Sequence, residues 1–359
     1  MYIAGIGIIF NRGRGLANLE KALTEGWVMP NSAILQTPTK GQSTSGAAVY
    51  RVPPEAITDK QVLKEARRAD SFSKMATLAA FDALVDSGIP EPNKAKLGII
   101  LATAFGPHVT TFGFLDDILT YGDAGVSPTL FSHSVHNTAA SYIALNLQTR
   151  GPTLTMTQFA NSFHQAIILA ESWLNEKRCE YILTGSADQT GKVMEYIYSH
   201  KLKLAADGRI KPFNFSATPE SIPAEGSVFF LLTNNPEYCK YCSISALPLE
   251  KEEAVDLCIL DSDGICGDES AYRKLAKSKT LFTSYAPIFG SMLTLSSFSS
   301  AAGALMLKNR KFYAPAIKEN PHHLNILTKS ETLAVHKIEC LRYNCYQEEL
   351  LIRLKKGER

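Results

Sequence analysis

The chain has 359 residues, 45% of them hydrophobic, and a formal net charge of +2 at pH 7. That length can bury a large core, as one big α/β domain or as two. Near-neutral charge argues against a nucleic-acid or membrane-surface protein, and no apolar run reaches the ~18 residues of a membrane span.

Strand and helix patterns alternate along the chain, the signature of α/β layering. Tyr2–Phe10 is an apolar strand rather than the charged and apolar regions of a signal peptide. Its Gly5-x-Gly7 is no dinucleotide fingerprint, because Phe10 stands where the third glycine belongs. Ala66–Ser87 has helical spacing through Met75, Leu78, Ala79, Ala83 and Leu84, with Gly88 as a stop. Leu97–Thr103 reads as a buried strand. Pro107–Tyr121 reads as a helix with Phe112 and Phe114. Its Asp116-Asp117 pair does not converge on one substrate, so both are expected in solvent. Ser134–Leu147 is a second helix, and His133 and His136 flank its start without evident metal-binding partners.

Leu154–Thr157 is then a strand and Asn161–Lys177 a strongly apolar helix. Ser162 and His164 lie two apart, on different helix faces, and no Gly-x-Ser-x-Gly surrounds the serine. Tyr181–Thr184 and Ser227–Thr233 read as strands covered on both faces. After Pro236 come strands Ile244–Ala246 and Leu257–Leu260, a helix Glu269–Ala276, and a strand Leu281–Ser284. Leu293–Leu307, rich in Ser and Ala, reads as a buried helix. His322-His323 falls in an exposed loop, Leu350–Leu354 is a last strand, and Lys355–Arg359 is solvated. Acidic and basic residues look well mixed along the chain. Seven scattered cysteines fit reduced thiols in a cytoplasmic protein. Cys239-x-x-Cys242 lacks the second pair that zinc needs, since Cys258 and Cys266 do not form one. No metal or other cofactor is expected.

Several segments together resemble the β-ketoacyl synthase family. They are Gly5-Ile6-Gly7, Arg68-Ala69-Asp70-Ser71-Phe72 before Asp86-Ser87-Gly88, Ser127-Pro128 with Asn137, Gly151-Pro152, Lys211-Pro212-Phe213-Asn214, and Ala224-Glu225-Gly226-Ser227. The resemblance implies an α/β, thiolase-like fold. Two pseudo-repeated halves, 1–235 and a shortened 236–359, would form an α-β-α-β-α core. It also locates what is missing. The family's nucleophilic cysteine stands at the tenth position counted from the Gly of Gly-Pro, and that position is Ala160. With a strand one residue shorter it is Phe159. The first histidine position falls on Asp263, the second on Ser291, and a lysine position on Ala286. The family's glycine-rich C-terminal loop falls near 343–348, which has no glycine.

Without a nucleophile, covalent catalysis fails, so the resemblance implies no catalytic residue. It points to a chain-length-factor-like subunit with no independent activity. Such a subunit pairs with a catalytic β-ketoacyl synthase as a heterodimer and walls its acyl tunnel. An acyl carrier protein is a further partner, met directly or through the synthase. The alanine sets the chain apart from aromatic polyketide factors and suggests the aryl polyene type. The resemblance assigns the tunnel or dimer interface to Phe112, Phe114, Leu115, Leu130, His133 and Phe159; plain core packing is the competing reading for each. Two other functions stay open: a malonyl-decarboxylating priming subunit, and a thiolase-fold scaffold that never meets an acyl chain.

Overall fold

The computed structural model describes residues 1–30, 48–90, 92–216, 218–246, 255–265, 272–332, 335–346 and 348–357. Among them, the strands of three residues or more in the large sheet are β1 Tyr2–Phe10, β2 Leu97–Thr103, β3 Thr153–Thr157, β4 Tyr181–Asp188, β5 Gly226–Thr233, β6 Ser243–Ser245, β7 Leu257–Leu260, β8 Leu281–Thr283, β9 Lys337–Tyr343 and β10 Glu349–Lys355. The first set runs β3-β2-β4-β5-β1 and the second β8-β7-β9-β10-β6. Pairing senses repeat as well. β2 is parallel to β3 and β4, and β5 is antiparallel to β4 and β1. Likewise β7 is parallel to β8 and β9, and β10 is antiparallel to β9 and β6. The sets join where β1 meets β6 at Tyr2 and Ser243. Two hydrogen bonds flank that contact, Ile3 N–H to Cys242 C=O at 2.9 Å and Ile244 N–H to Met1 C=O at 3.0 Å.

Among the described residues, the helices are α1 Leu16–Glu25, α2 Ser71–Ser87, α3 His108–Tyr121, α4 Pro128–His133, α5 Thr138–Leu147, α6 Ser162–Asn175, α7 Lys192–Lys201, α8 Ala286–Phe289 and α9 Leu295–Asn309. α6 and α9 hold equivalent places, each between the third and fourth strand of its set in chain order or its counterpart. Phe163, Ala166 and Ile167 of α6 share one core with Phe298, Ala301 and Leu305 of α9. Ile8, Ile100 and Phe230 from the first set and Ile259, Ile338 and Ile352 from the second complete that core. The two helices are therefore a central layer between the sheets. α9 is buried at every position from Leu295 to Leu307, as expected of a helix enclosed on all sides. The opposite face of the first sheet, through Ile99, Leu101, Leu183 and Phe229, lies under α2 and α5. The outer face of the second, through Cys258, Leu260 and Leu341, lies under Phe213, Phe215, Tyr272 and Leu324.

Several boundaries differ from the sequence reading, for local reasons. α2 starts at Ser71 rather than Ala66, because the Asp70 carboxylate caps it by accepting the Ser73 N–H at 2.8 Å. α5 starts at Thr138 rather than Ser134, and Pro128–His133 makes its own short helix. α6 follows a 3-10 turn at Phe159–Asn161. β4 continues to Asp188, beyond Thr184. The expected helix Glu269–Ala276 lies partly outside the described residues, as does Cys266; its end is a 3-10 turn, Lys274–Lys277. Among the described residues, no helix is long and apolar enough to cross a membrane.

Gly5 and Gly7 explain how closely α2 sits on β1. A Cβ at Gly7 would stand 2.0 Å from the Ala79 carbonyl oxygen, and one at Gly5 2.0 Å from that of Ala83. Backbone, unlike a side-chain tip, cannot rotate aside. Gly7→Ala should therefore destabilise the protein by about 3 kcal/mol or more, read as a lowered midpoint in urea unfolding.

Candidate functional site

At the end of β3 the chain reverses into α6 through Gln158–Asn161. Phe159 has φ 49, the left-handed region that a residue with a Cβ rarely adopts. Its ring is 61% exposed, whereas Ala160 is 3% exposed. Phe159 is thus the side chain presented at the apex of the turn, and Ala160 points inward. Ser162 ties the turn together. Its hydroxyl accepts the Gln158 N–H at 2.7 Å and lies 2.9 Å from the carbonyls of Thr103 and Phe159. His164 is buried, and neither of its ring nitrogens meets a hydrogen-bond partner, so it forms no pair with Ser162. Burial lowers its pKa to about 3, and the charge of Arg342 acts in the same direction.

The space behind the turn is filled. Ala160 packs with Ala104, Leu293 and Leu350, against Phe105 and Ile265. Asp263 and Ser291, far apart in sequence, meet in one knot. Asp263 pairs with Arg342, each side chain 1% exposed. The guanidinium donates to both carboxylate oxygens at 3.1–3.3 Å. Asp263 also accepts the N–H groups of Met292 and Ile265 at 3.0 and 3.2 Å. Burial raises its pKa and the guanidinium opposes that rise. The Ser291 hydroxyl donates to the Asp263 carbonyl and accepts the Ile222 N–H at 2.9 Å. Ala286 is buried in α8. A second buried carboxylate, Asp188, accepts the hydroxyls of Thr294 and Thr103 at 2.7 and 3.0 Å and the Ala104 N–H at 2.9 Å. Both carboxylates are occupied structurally, and Ser291 is a bridging hydroxyl. Near 343–348, Asn344 donates to Asn161 Oδ1 at 3.1 Å and accepts the Glu348 N–H at 2.9 Å, tying the C-terminal turn to the start of α6.

The tunnel candidates divide. Phe112 and Leu115 are 40% and 44% exposed on α3, in the company of exposed Leu119, Phe131, Val135 and Leu154. Phe114 is half-buried, its ring 5.6 Å from that of Phe131, and Leu130 is also half-buried. His133 is 2.7 Å from the Tyr142 hydroxyl, a structural contact. Leu154 belongs to β3, an edge strand paired only with β2 among the described residues, and the start of α5 shares a surface cleft with it. Large contiguous exposed apolar patches mark interaction surfaces. Among the described residues, no group of three or more His, Cys, Asp or Glu could hold a metal.

The even mixing of charge along the sequence breaks down locally on the surface. Leu63, Ala66 and Ala69 turn inward, so Lys60, Lys64, Arg67 and Arg68 are all exposed, with Glu65 the one carboxylate from 60 to 68. The inward spacing of those three residues is the signal in the sequence that could reveal it.

A family description, "Beta-ketoacyl synthase, N-terminal domain", matches residues 2–237. The 3-oxoacyl-[acyl-carrier-protein] synthase 2 of Coxiella burnetii is 24% identical over 177 residues, 47% of this chain and 42% of that protein. The alignment thus spans less than half of that relative. Among solved structures, the ishigamide ketosynthase/chain length factor superposes with a TM-score of 0.81 at 15% identity, covering 99% of each chain. A type II polyketide ketosynthase bound to its acyl-carrier protein and a hexaketide superposes at 0.79 and 11% identity, again covering 99% of each. At such identities the likeness shows the fold, a mixed α/β thiolase-like one.

The apex geometry yields a direct check. A thiol introduced by Phe159→Cys should react with iodoacetamide at least about tenfold faster than one introduced by Ala160→Cys, because access governs the attack. Mass spectrometry of the labelled peptides measures both rates. A faster Ala160→Cys would move the apex by one residue.

Proposed function

The chain belongs to the β-ketoacyl synthase family, and on that premise we propose that it is the non-catalytic, chain-length-factor-like subunit of a synthase heterodimer. The observation that carries this reading is the apex of the β3–α6 turn, where a phenylalanine ring stands and no nucleophile does. Phe159 then takes the place of the lost cysteine, with Ala160 one residue past it. The Asp263–Arg342 pair and Ser291 stand where two histidines would activate malonyl. Neither of those two positions carries an imidazole to stabilise an enolate, which weighs against a decarboxylating role.

The exposed surface of α3, α4 and the β3 edge suits an active synthase as partner. Phe112, Phe114, Leu115, Leu130 and His133 then help wall the acyl tunnel, and the pathway proposed is of the aryl polyene type. The two halves, 1–235 and 236–359, supply the scaffold. Control of chain length is a packing effect. Overfilling a tight interior costs roughly 1–3 kcal/mol, up to about a hundredfold in occupancy. The cationic stretch at Lys60, Lys64, Arg67 and Arg68 supports direct contact with an acidic acyl carrier protein, since charge complementarity speeds and orients docking.

Co-expressed with a synthase that keeps its cysteine and both histidines, the chain should purify as a one-to-one complex, and Phe112→Ala should lengthen the product seen by liquid chromatography–mass spectrometry. A stable complex whose products ignore all five wall substitutions would make the chain a scaffold instead. Charge reversal at Lys64 and Arg67 should weaken carrier-protein binding about tenfold or more, and more so at low salt; calorimetry at two ionic strengths separates this from a fold defect.

A further inference from the structure

The segment after β7 carries two buried carboxylates, Asp261 and Asp263, each 1% exposed. One buried guanidinium, that of Arg342, faces both, and it donates to Asp263 and to the Met292 carbonyl. Asp261 stands where β7, β9 and α9 converge: its N–H reaches the Leu341 carbonyl at 2.8 Å, and its Oδ1 accepts the Ser299 hydroxyl. Its Oδ2 is equally buried and meets no hydrogen-bond partner among the described residues. Ser296 lies three residues before Ser299, on the same face of α9. Its hydroxyl faces this carboxylate and is likewise buried without a partner. An ionised carboxylate in a dry layer needs donors on both oxygens or a cation of its own. A carboxylic acid supplies a donor itself. A proton on Oδ2 gives Ser296 Oγ something to accept, and so satisfies both atoms at once.

We propose that Asp261 is a proton-linked clip: as a neutral acid it fastens the end of β7 to the first turns of α9, and ionisation loosens that contact. The surrounding groups leave the proton as the remaining way to satisfy the site. Cys258 of β7, Cys340 of β9 and Tyr272 are all pushed up by burial and stay neutral. Asp263 repels a second negative charge, and α9 faces the carboxylate with the hydroxyls of Ser299 and Ser296. Burial raises the Asp261 pKa to about 6, against the pull of those hydroxyls and of Arg342. An acid whose pKa is raised on folding stabilises the folded state fully below its unfolded value, about 4. That contribution is lost as pH rises through the folded value. His164, on the other side of Arg342, acts in the opposite sense: burial holds its pKa at about 3, so its contribution grows as pH rises towards neutrality. The clip needs no partner subunit and is independent of the pairing reading.

The test compares the full chain with Asp261→Asn in urea unfolding at pH 5.0 and pH 7.5. The amide copies the protonated acid at every pH, with an oxygen for Ser299 and an N–H for Ser296. Both proteins keep His164 and His108, so their difference isolates Asp261. The folding equilibrium constant of the variant, relative to wild type, should rise about tenfold between the two pH values. In isotope-labelled wild-type protein, the Asp261 carboxyl carbon resonance should titrate with a midpoint near the same value as the loss of stability. A ratio that does not change with pH, or a carboxyl that is already ionised at pH 5.0, overturns the assignment. The wild-type resonance decides the matter even if the variant fails to fold.

Discussion

Arg342 and Asp263 hold opposite charges in a space that water does not reach, and the rest of the site is arranged around that constraint. Removing two ions from water costs several kcal/mol each, recovered only if geometry and extra hydrogen bonds are good. Here the guanidinium also donates to the Met292 carbonyl at 3.1 Å, and the carboxylate takes two backbone N–H groups. The pair therefore fixes β9, the segment after β7 and the segment before α9 in one place. Ser291 extends the knot to Ile222, just ahead of β5. The space between this knot and the β3–α6 turn is filled by Ala104, Ala160, Leu293 and Leu350.

The duplicated sheet explains why residues so far apart in sequence meet. Each set of strands sends its edge strand into a central helix, so the turns before α6 and α9 approach from opposite sides of one layer. Thr103, at the end of β2, bonds to Asp188 and, through its carbonyl, to Ser162; Asp188 in turn bonds Thr294 at the head of α9. Three hydrogen bonds, two of them to the Asp188 carboxylate, thus link the two turns.

Much of this is legible in the residues. Gly151-Pro152 and the apolar run after Asn161 announce a strand, a turn and a helix, and the Ser and Ala of 293–307 announce burial. The missing pieces share a cause: they depend on contacts across the chain. Lys337 and Glu339 alternate with buried Ile338 and Cys340 in β9, a period that puts Arg342 on the inward face, but nothing local says that it meets Asp263, 79 residues away. Hydrophobic spacing continues back through Ala66 and so starts α2 too early, while the cap that sets its true start is a single carboxylate contact. Counting cannot choose between Ala160 and Phe159, since it does not see where a strand stops and a 3-10 turn begins. Backbone φ sees it. Net charge hides the cationic stretch at 60–68 because only the inward turn of Leu63, Ala66 and Ala69 segregates it.

The strained apex is the informative remnant. A non-glycine residue held at positive φ costs of order 1–3 kcal/mol and persists only where its surroundings over-determine it. In a nucleophile that strain would be tied to chemistry; at Phe159 it cannot be. What over-determines it is visible: Ser162 bonded to both ends of the turn, and Asn161 held by Asn344. The turn is thus kept by the same scaffold that a reacting group would need, while the side chain it displays is an inert ring. The ring that the turn displays carries no reactive group, so what it contributes is volume and surface.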